Sequence, residues 1–265
     1  MSDSCSVIAV IPARFESSRF PGKILAAETG KPLIQHVYEQ ACRAELVGRV
    51  IVATDDPRIR DAVVGFGGEC AMTRADHANG TSRIAEVAEG LEAEIIVNVQ
   101  GDEPELPPSV IDLAVEKLLA CKDCSMGTVA SEFGGDDDPA NPNIVKVFVD
   151  GEGWAIDFSR NVAPGKRHRG IEASRHQGQS REETVEPTML KHIGLYVYRR
   201  EFLATYVGLS PTPGEQEERL EQLRALEHGY SICVAIGEAP HPGIDTPEQY
   251  AAFVERWKKR NDLQY

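Results

Sequence analysis

Apolar residues along this chain come in two rhythms. Short unbroken runs at residues 7–11 (VIAVI), 49–53 (RVIVA) and 95–99 (IIVNV) are dense in Val and Ile and lack polar alternation. Each therefore reads as a strand buried on both faces. Residues 32–44, 57–66, 81–91 and 107–119 carry apolar positions at helical spacing instead. Gly67-Gly68 stops the second of these helices, as a left-handed terminal turn would. Alternating β and α segments without internal repeats predict an α/β fold with a doubly wound, mainly parallel sheet.

The second half of the chain is less regular. Residues 132–143 are acidic and rich in Gly, Pro and Asp, which marks a loop or lobe boundary. Residues 145–149 and 154–158 flank Asp150-Gly151-Glu152-Gly153, a hairpin signal. Residues 161–187 are polar and open with the basic run Lys166, Arg167, His168 and Arg169; such a stretch is expected to be mobile without ligand. A strand is expected at 193–198, one amphipathic helix at 215–228, a strand at 231–236 and a closing helix at 247–260. The chain is read as a single domain, with residues 1–131 and 200–265 as its core and residues 132–199 as a smaller β-rich lobe.

Composition narrows the ligand. The chain has 265 residues, 42% of them hydrophobic, enough for one large α/β domain. Its net charge of −14 argues against nucleic acid as a partner, because a phosphate backbone needs a basic face. An anionic ligand must then be held by locally clustered cations. No apolar run approaches the roughly 20 residues of a membrane span, so no membrane partner is expected. The first residues, Met1-Ser2-Asp3-Ser4, have neither the basic region nor the apolar core of a signal peptide, and a cytoplasmic protein is expected. Of the six cysteines, Cys121 and Cys124 form a lone CxxC with no second pair to complete a zinc site; reduced thiols are the default.

Local cations appear at once after the first apolar run. Arg14, Ser17, Ser18, Arg19, Gly22 and Lys23 follow the carboxyl end of a strand, where open α/β sheets bind ligands. Three cations, two hydroxyls and a glycine suit a triphosphate; a solvated basic loop is the plain alternative. Asp102 follows the third apolar run, where a carboxylate is well placed to hold Mg²⁺. Asp245 precedes Thr246-Pro247-Glu248, and a place in a helix N-cap is its plain alternative reading. The polar segment 73–83 opens a helix, whose first amides favour anions.

The loop ARFESSRFPGK, residues 13–23, resembles that of the nucleotide-sugar pyrophosphorylase superfamily. Pro12-Ala13-Arg14 and Gly30-Lys31-Pro32-Leu33 look more specifically like the cytidylyltransferases that activate an acidic sugar. The likeness continues through TRADH at 73–77, NVQGDEP at 98–104 and DTPE at 245–248, and so covers most of the chain. It implies a nucleotide-diphospho-sugar transferase fold. It also implies transfer of CMP from CTP to an acidic eight-carbon sugar, 3-deoxy-D-manno-octulosonate (Kdo), with loss of pyrophosphate, for lipopolysaccharide synthesis. A homodimer and a Mg²⁺ cofactor are implied too.

Residue by residue, the resemblance puts Arg14, Ser17, Arg19 and Lys23 on the triphosphate, with Arg14, Lys23 and Asp102 as the catalytic set. Asp102 and Asp245 would share the Mg²⁺ ion. Arg74, Asp76, Gly80 and Arg83 would lie against cytosine and ribose. Gln100, Arg160, His192, Tyr196, Glu221 and Gln222 would cradle the sugar. No side-chain base is obvious, since Mg²⁺ coordination is expected to activate the anomeric hydroxyl. Two positions depart from the family pattern: Asn79, where many members have Ser, and the segment after Arg160, which lacks the usual Pro and aromatic residue. The second departure leaves open a relative of Kdo such as an amino-substituted version; a sialic-acid-like sugar is a separate rival, against which residues 100–104 (QGDEP) and 221–224 (EQLR) favour Kdo. A CTP-binding module without catalysis also stays open. A sugar 1-phosphate nucleotidyltransferase would carry a longer Gly-rich loop before the Arg.

Overall fold

The computed structural model describes residues 6–135, 137–164, 186–238, 241 and 243–262. Most of the polar stretch singled out above, residues 165–185, including the basic run, lies outside the described residues. The chain divides into two compact units, residues 1–112 with 239–265, and residues 113–238. The lobe expected at 132–199 falls inside the second unit, which also takes in residues 113–131 and 200–238.

The first unit begins with β1 (Val7–Ala13), α1 (Leu33–Ala41), β2 (Arg49–Thr54), α2 (Pro57–Gly65), β3 (Cys70–Met72), α3 (Gly80–Glu89) and β4 (Ile95–Asn98). Its strands lie in the order β3-β2-β1-β4, and all are parallel. Residues 7–11 of β1 are at most 5% exposed, which is why that run shows no polar alternation. The parallel direction brings the carboxyl ends of β1, β2 and β4 to one edge, so the segments that follow Ala13, Thr54 and Asn98 gather there. Side chains set the helix starts. Asp56 accepts from the Arg58 amide ahead of Pro57, and Asn79 accepts from the Ser82 amide at 2.8 Å.

Helix α4 (Pro108–Ala120) carries the chain into the second unit. There follow β5 (Met126–Ser131), β6 (Lys146–Val149), β7 (Ala155–Ser159), β8 (Thr188–Arg199), α5 (Arg200–Val207), α6 (Pro213–Glu218), α7 (Gln222–Glu227) and β9 (Ile232–Ile236). β5 runs antiparallel to β8 and parallel to β9, while β6 pairs antiparallel with both β7 and β8. The hairpin expected around residues 150–153 is present, with Asp150 Oδ1 accepting from the Glu152 and Trp154 amides. The sequence reading passed over β3, β5 and α5, and β8 starts five residues before the expected strand.

The single helix expected at 215–228 is two. Thr212 and Glu215 form a capping box that starts α6 at Pro213, and Arg219 takes a left-handed conformation (φ 56°) that ends it. The turn buries Leu220, and a Glu215–Arg224 ion pair ties the two short helices.

The chain then returns to the first unit with α8 (Pro247–Asp262). Tyr250, Phe253 and Val254 of α8 pack with Leu33 of α1 and with Ile244, against Phe20 and Ala26. Burying a side chain such as Ile244 contributes about 2 kcal/mol, so this cluster fixes the residues just before α8 beside the loop after β1. Among the described residues, no helix is long and apolar enough to cross a membrane.

Candidate active site

The loop after β1 closes on itself. The Gly22 amide donates to the Phe15 carbonyl at 3.0 Å, and Gly22 sits at φ 72°, with the Phe15 ring 3.2 Å from where a Cβ would be. The positive φ favours glycine there, and the Phe15 ring leaves little room for a side chain. The turn delivers Lys23, whose side chain is only 9% exposed. Its ammonium donates to Asp102 Oδ2 at 2.6 Å, to the Ile244 carbonyl at 2.7 Å and to Asp245 Oδ1 at 3.1 Å. Arg19 reaches the other oxygen of Asp245 at 2.9 Å from a largely exposed position.

Two backbone features bring the distant aspartates together. A Cβ on Gly101 would lie 2.9 Å from the Pro12 carbonyl, so only glycine lets the segment after β4 lie against the end of β1. The Ile244 amide then donates to the Asp102 carbonyl at 2.8 Å, joining the residues before α8 to that segment. The capping question for Asp245 is also answered. Thr246 and Gln249 cap α8 reciprocally: the Gln249 amide donates to Thr246 Oγ1, and Gln249 Oε1 accepts from the Thr246 amide. Gln249 Oε1 also accepts from the Asp245 amide. The Asp245 carboxylate is thereby left to face Lys23 and Arg19. Two carboxylates and a carbonyl converge on one cationic nitrogen; this all-oxygen donor set fits a hard divalent ion such as Mg²⁺. No group of three or more His, Cys, Asp or Glu fit to hold a metal occurs among the described residues, so water or phosphate oxygens would complete such a shell.

The remaining nucleotide-side candidates divide. Arg14 donates to the His77 carbonyl at 3.1 Å, tying the loop after β1 to the segment that opens α3. Gly80 begins α3, and a Cβ there would press on the Pro12 ring at 3.2 Å. Arg74 and Asp76 are exposed, 3.6 Å apart, and Arg74 also lies 3.4 Å from Glu86. Ser17 is half-buried on the loop. Arg83 points inward instead: its side chain is 1% exposed, paired with Asp55 at 2.9 Å and bonded to Thr73 Oγ1. These contacts brace the residue after β2 and the first turn of α3, while Arg83 Nε is buried without a hydrogen-bond partner among the described residues. Asp55 was not anticipated; its position directly after β2 was the available signal. Gln100 is oriented by Asn98, donating to its Oδ1 at 3.1 Å.

The sugar-side candidates, apart from Gln100, sit in the second unit. Thr128 on β5, also unanticipated, sets the tautomer of His192 on β8. Its hydroxyl donates to the Leu195 carbonyl at 2.7 Å, so it must accept the proton of His192 Nε2 at 2.9 Å. Nδ1 of His192 is then the unprotonated, accepting nitrogen. The ring is enclosed edge-on by Phe158 and beside Tyr196, and burial pushes its pKa down to about 3, keeping it neutral. Arg160 follows β7 and is held from α6: its amide donates to the Glu218 carboxylate and its Nε to the Glu218 carbonyl at 3.0 Å. Lys146, with its ammonium on the Arg160 and Asn141 carbonyls, supports the same corner. Gln222 is 4% exposed, and its Nε2 is buried without a hydrogen-bond partner among the described residues. An orphaned buried donor of this kind is a candidate ligand contact. Glu221 lies just ahead of α7, its carbonyl accepting from the Tyr206 hydroxyl at 2.7 Å.

A parallel sheet whose strand ends gather a buried lysine, two converging aspartates and a helix N-terminus is the architecture of a nucleotidyltransferase. The family model described as cytidylyltransferase matches residues 8–232, and this chain belongs to the cytidylyltransferase family. A 3-deoxy-manno-octulosonate cytidylyltransferase from Trichlorobacter lovleyi is 48% identical over 96% of this chain and 99% of its own length. The enzyme of that name from Geobacter metallireducens is 47% identical over 94% of this chain and 97% of its own. A solved structure of CMP:2-keto-3-deoxy-manno-octonic acid synthetase complexed with CTP superposes with a TM-score of 0.84 at 38% identity, over 96% of this chain and 99% of that one.

Proposed function

We propose that this chain transfers CMP from CTP to Kdo, giving CMP-Kdo and pyrophosphate for lipopolysaccharide synthesis. The anomeric oxygen of the sugar bonds to the α-phosphorus. The bond from that phosphorus to the bridging oxygen breaks, its electron pair leaves with pyrophosphate, and the hydroxyl proton is lost. The observation that carries the reading is the meeting of Lys23, Asp102 and Asp245 at the sheet edge, in a chain that matches Kdo cytidylyltransferases over nearly its whole length.

Charge dictates the division of labour. Triphosphate and leaving pyrophosphate are highly anionic, so Arg14, Arg19 and Lys23 neutralise them, with Arg suited to two-point contact and Lys to following a moving charge. Asp102 and Asp245 would hold Mg²⁺, which when bound would supply phosphate charge neutralisation and lower the pKa of the hydroxyl. The segment from Arg74 to Gly80 takes the cytidine. For the sugar, Arg160 pairs with the carboxylate, while His192 Nδ1 accepts from a hydroxyl and Gln222 Nε2 donates to one. The enzyme works as a homodimer in the cytoplasm on this reading.

The test is pyrophosphate release from CTP and Mg²⁺ with Kdo, 8-amino-Kdo and N-acetylneuraminate. Release with Kdo is expected. Release with another sugar alone would keep the nucleotide site and overturn the substrate. Silence with all three, alongside tight CTP binding, would leave a binding module.

A further inference from the structure

Lys23 sits where a metal ion would. Its ammonium touches one oxygen of each candidate metal aspartate and the Ile244 carbonyl between them, at 2.6, 3.1 and 2.7 Å, with the side chain 9% exposed. An ion bound between Asp102 and Asp245 would draw on the same carboxylate charge and enter the space the ammonium fills. A lysine ammonium and a divalent cation cannot both occupy that point, since both are positive and repel each other at contact distance. The alternative position for the ammonium is the triphosphate itself, because Lys23 closes the cationic loop on which Arg14 and Arg19 lie.

We propose that Lys23 is a tethered placeholder cation. Without nucleotide it neutralises Asp102 and Asp245 and keeps metal affinity low; when a nucleoside triphosphate arrives, the ammonium transfers to the phosphates and frees the carboxylates for the ion. The proposal rests on the metal assignment above and adds an order to it. Metal and nucleotide then bind with positive coupling carried by one side chain, and linkage makes that coupling reciprocal. The structure explains why a lysine fills this role. Two carboxylates brought together by the Ile244–Asp102 backbone bond would repel each other, and the flexible, single-point ammonium relieves that repulsion and still withdraws.

The experiment measures Mn²⁺ binding to the full chain by the electron-spin-resonance signal of free ion, without nucleotide or sugar. Wild type, Lys23→Met, Lys23→Gln and Asp102→Asn are compared, each first checked for a native circular-dichroism spectrum. Met and Gln keep side-chain bulk and remove the charge. The expected result is about tenfold tighter Mn²⁺ binding in both lysine variants than in wild type, and loss of binding in Asp102→Asn. Melting temperature gives a second readout: Mn²⁺ should raise it more in the lysine variants than in wild type. Equal or weaker binding in folded lysine variants, with Asp102→Asn still losing it, would overturn the placeholder while leaving the metal site standing. No saturable Mn²⁺ binding in any protein, even with CTP added, would overturn both. Should neither lysine variant fold, the Lys23 Cε resonance of wild type decides. It must shift as Mg²⁺ displaces the ammonium, and a resonance unmoved while Mg²⁺ binds would overturn the proposal.

Discussion

The residues assigned to triphosphate and metal follow a different electrostatic plan from those assigned to the sugar. In the first unit, charges answer charges: Lys23 lies against Asp102 and Asp245, and Arg19 against Asp245. In the second unit, two of the recognition groups are neutral and fixed by their neighbours, beside the charged Arg160 and Glu221. His192 is locked as one tautomer by Thr128, and Gln222 keeps a buried donor without a partner among the described residues. A self-neutralised site must rearrange when a highly charged ligand enters. A set of fixed neutral dipoles is already oriented and loses little on binding. The first arrangement suits a ligand that brings compensating charge, and the second suits discrimination among sugar hydroxyls.

Asp102→Asn tests the first plan most severely. It keeps the size of the side chain and removes the charge facing Lys23. If Asp102 holds the proposed metal ion, pyrophosphate release should fall by about a thousandfold or more, because charge stabilisation in the transition state would be lost. The melting temperature should change by only about 3 °C, since Lys23 retains Asp245 and the Ile244 carbonyl. Near-normal turnover would break the metal assignment and with it the contrast between the two units.

Acid tests the neutral plan next. Burial pushes the pKa of His192 down to about 3, and burial helped by Lys31 pushes that of His36 down to about 4. The unfolded chain takes up these protons near pH 6.5 and the folded chain does not, so stability falls as pH drops below that value. By pH 5 the loss should reach at most about 2 kcal/mol per histidine, read as a lower urea midpoint than at pH 7.5. His192→Phe should remove its share of this pH dependence. An unchanged slope would mean that His192 is not held neutral.

The same variant sharpens the contrast in kinetics. Phenylalanine preserves packing against Phe158 and Tyr196 and deletes the Nδ1 acceptor. The sugar KM should rise by about ten- to a hundredfold, with the CTP KM unchanged. Equal changes in both would show that the neutral set does not serve the sugar alone.

What the sequence revealed follows the same division. β1, β2 and β4 were legible because a strand buried on both faces writes itself as an unbroken Val/Ile run, and Lys23 and Asp102 follow such runs directly. β5 (MGTVAS) was not, although it is buried throughout: Gly127 and Thr128 break its hydrophobic signal. Gly127 is there because a Cβ would come within 3.0 Å of both Cys233 and Val197, and Thr128 because it serves His192. The break at Arg219 was hidden because neither Gly nor Pro marks it; the turn is set by burial of Leu220 and the Glu215–Arg224 pair, which no local pattern records. The inward turn of Arg83 depends on Asp55, 28 positions earlier in the chain, so helical spacing could not separate it from a ligand-facing arginine.

Arg19→Gln should have the smallest effect, and it tests whether burial rather than charge count makes the first unit work. Arg19 and Lys23 both pair with Asp245, at 2.9 and 3.1 Å, but the Arg19 side chain is 64% exposed against 9% for Lys23. Water screens the exposed pair, and ordering a long side chain offsets most of its attraction, so stability should change by about 0.5 kcal/mol or less. Arg19 still adds positive charge beside the incoming triphosphate, and the CTP KM should rise by about three- to tenfold, less at high salt. The loss in turnover should stay far below that of Asp102→Asn. If Arg19→Gln instead cost as much turnover as Asp102→Asn, the exposed cation would share the reaction with the buried one, and the self-neutralised core would extend outward to the surface of the loop.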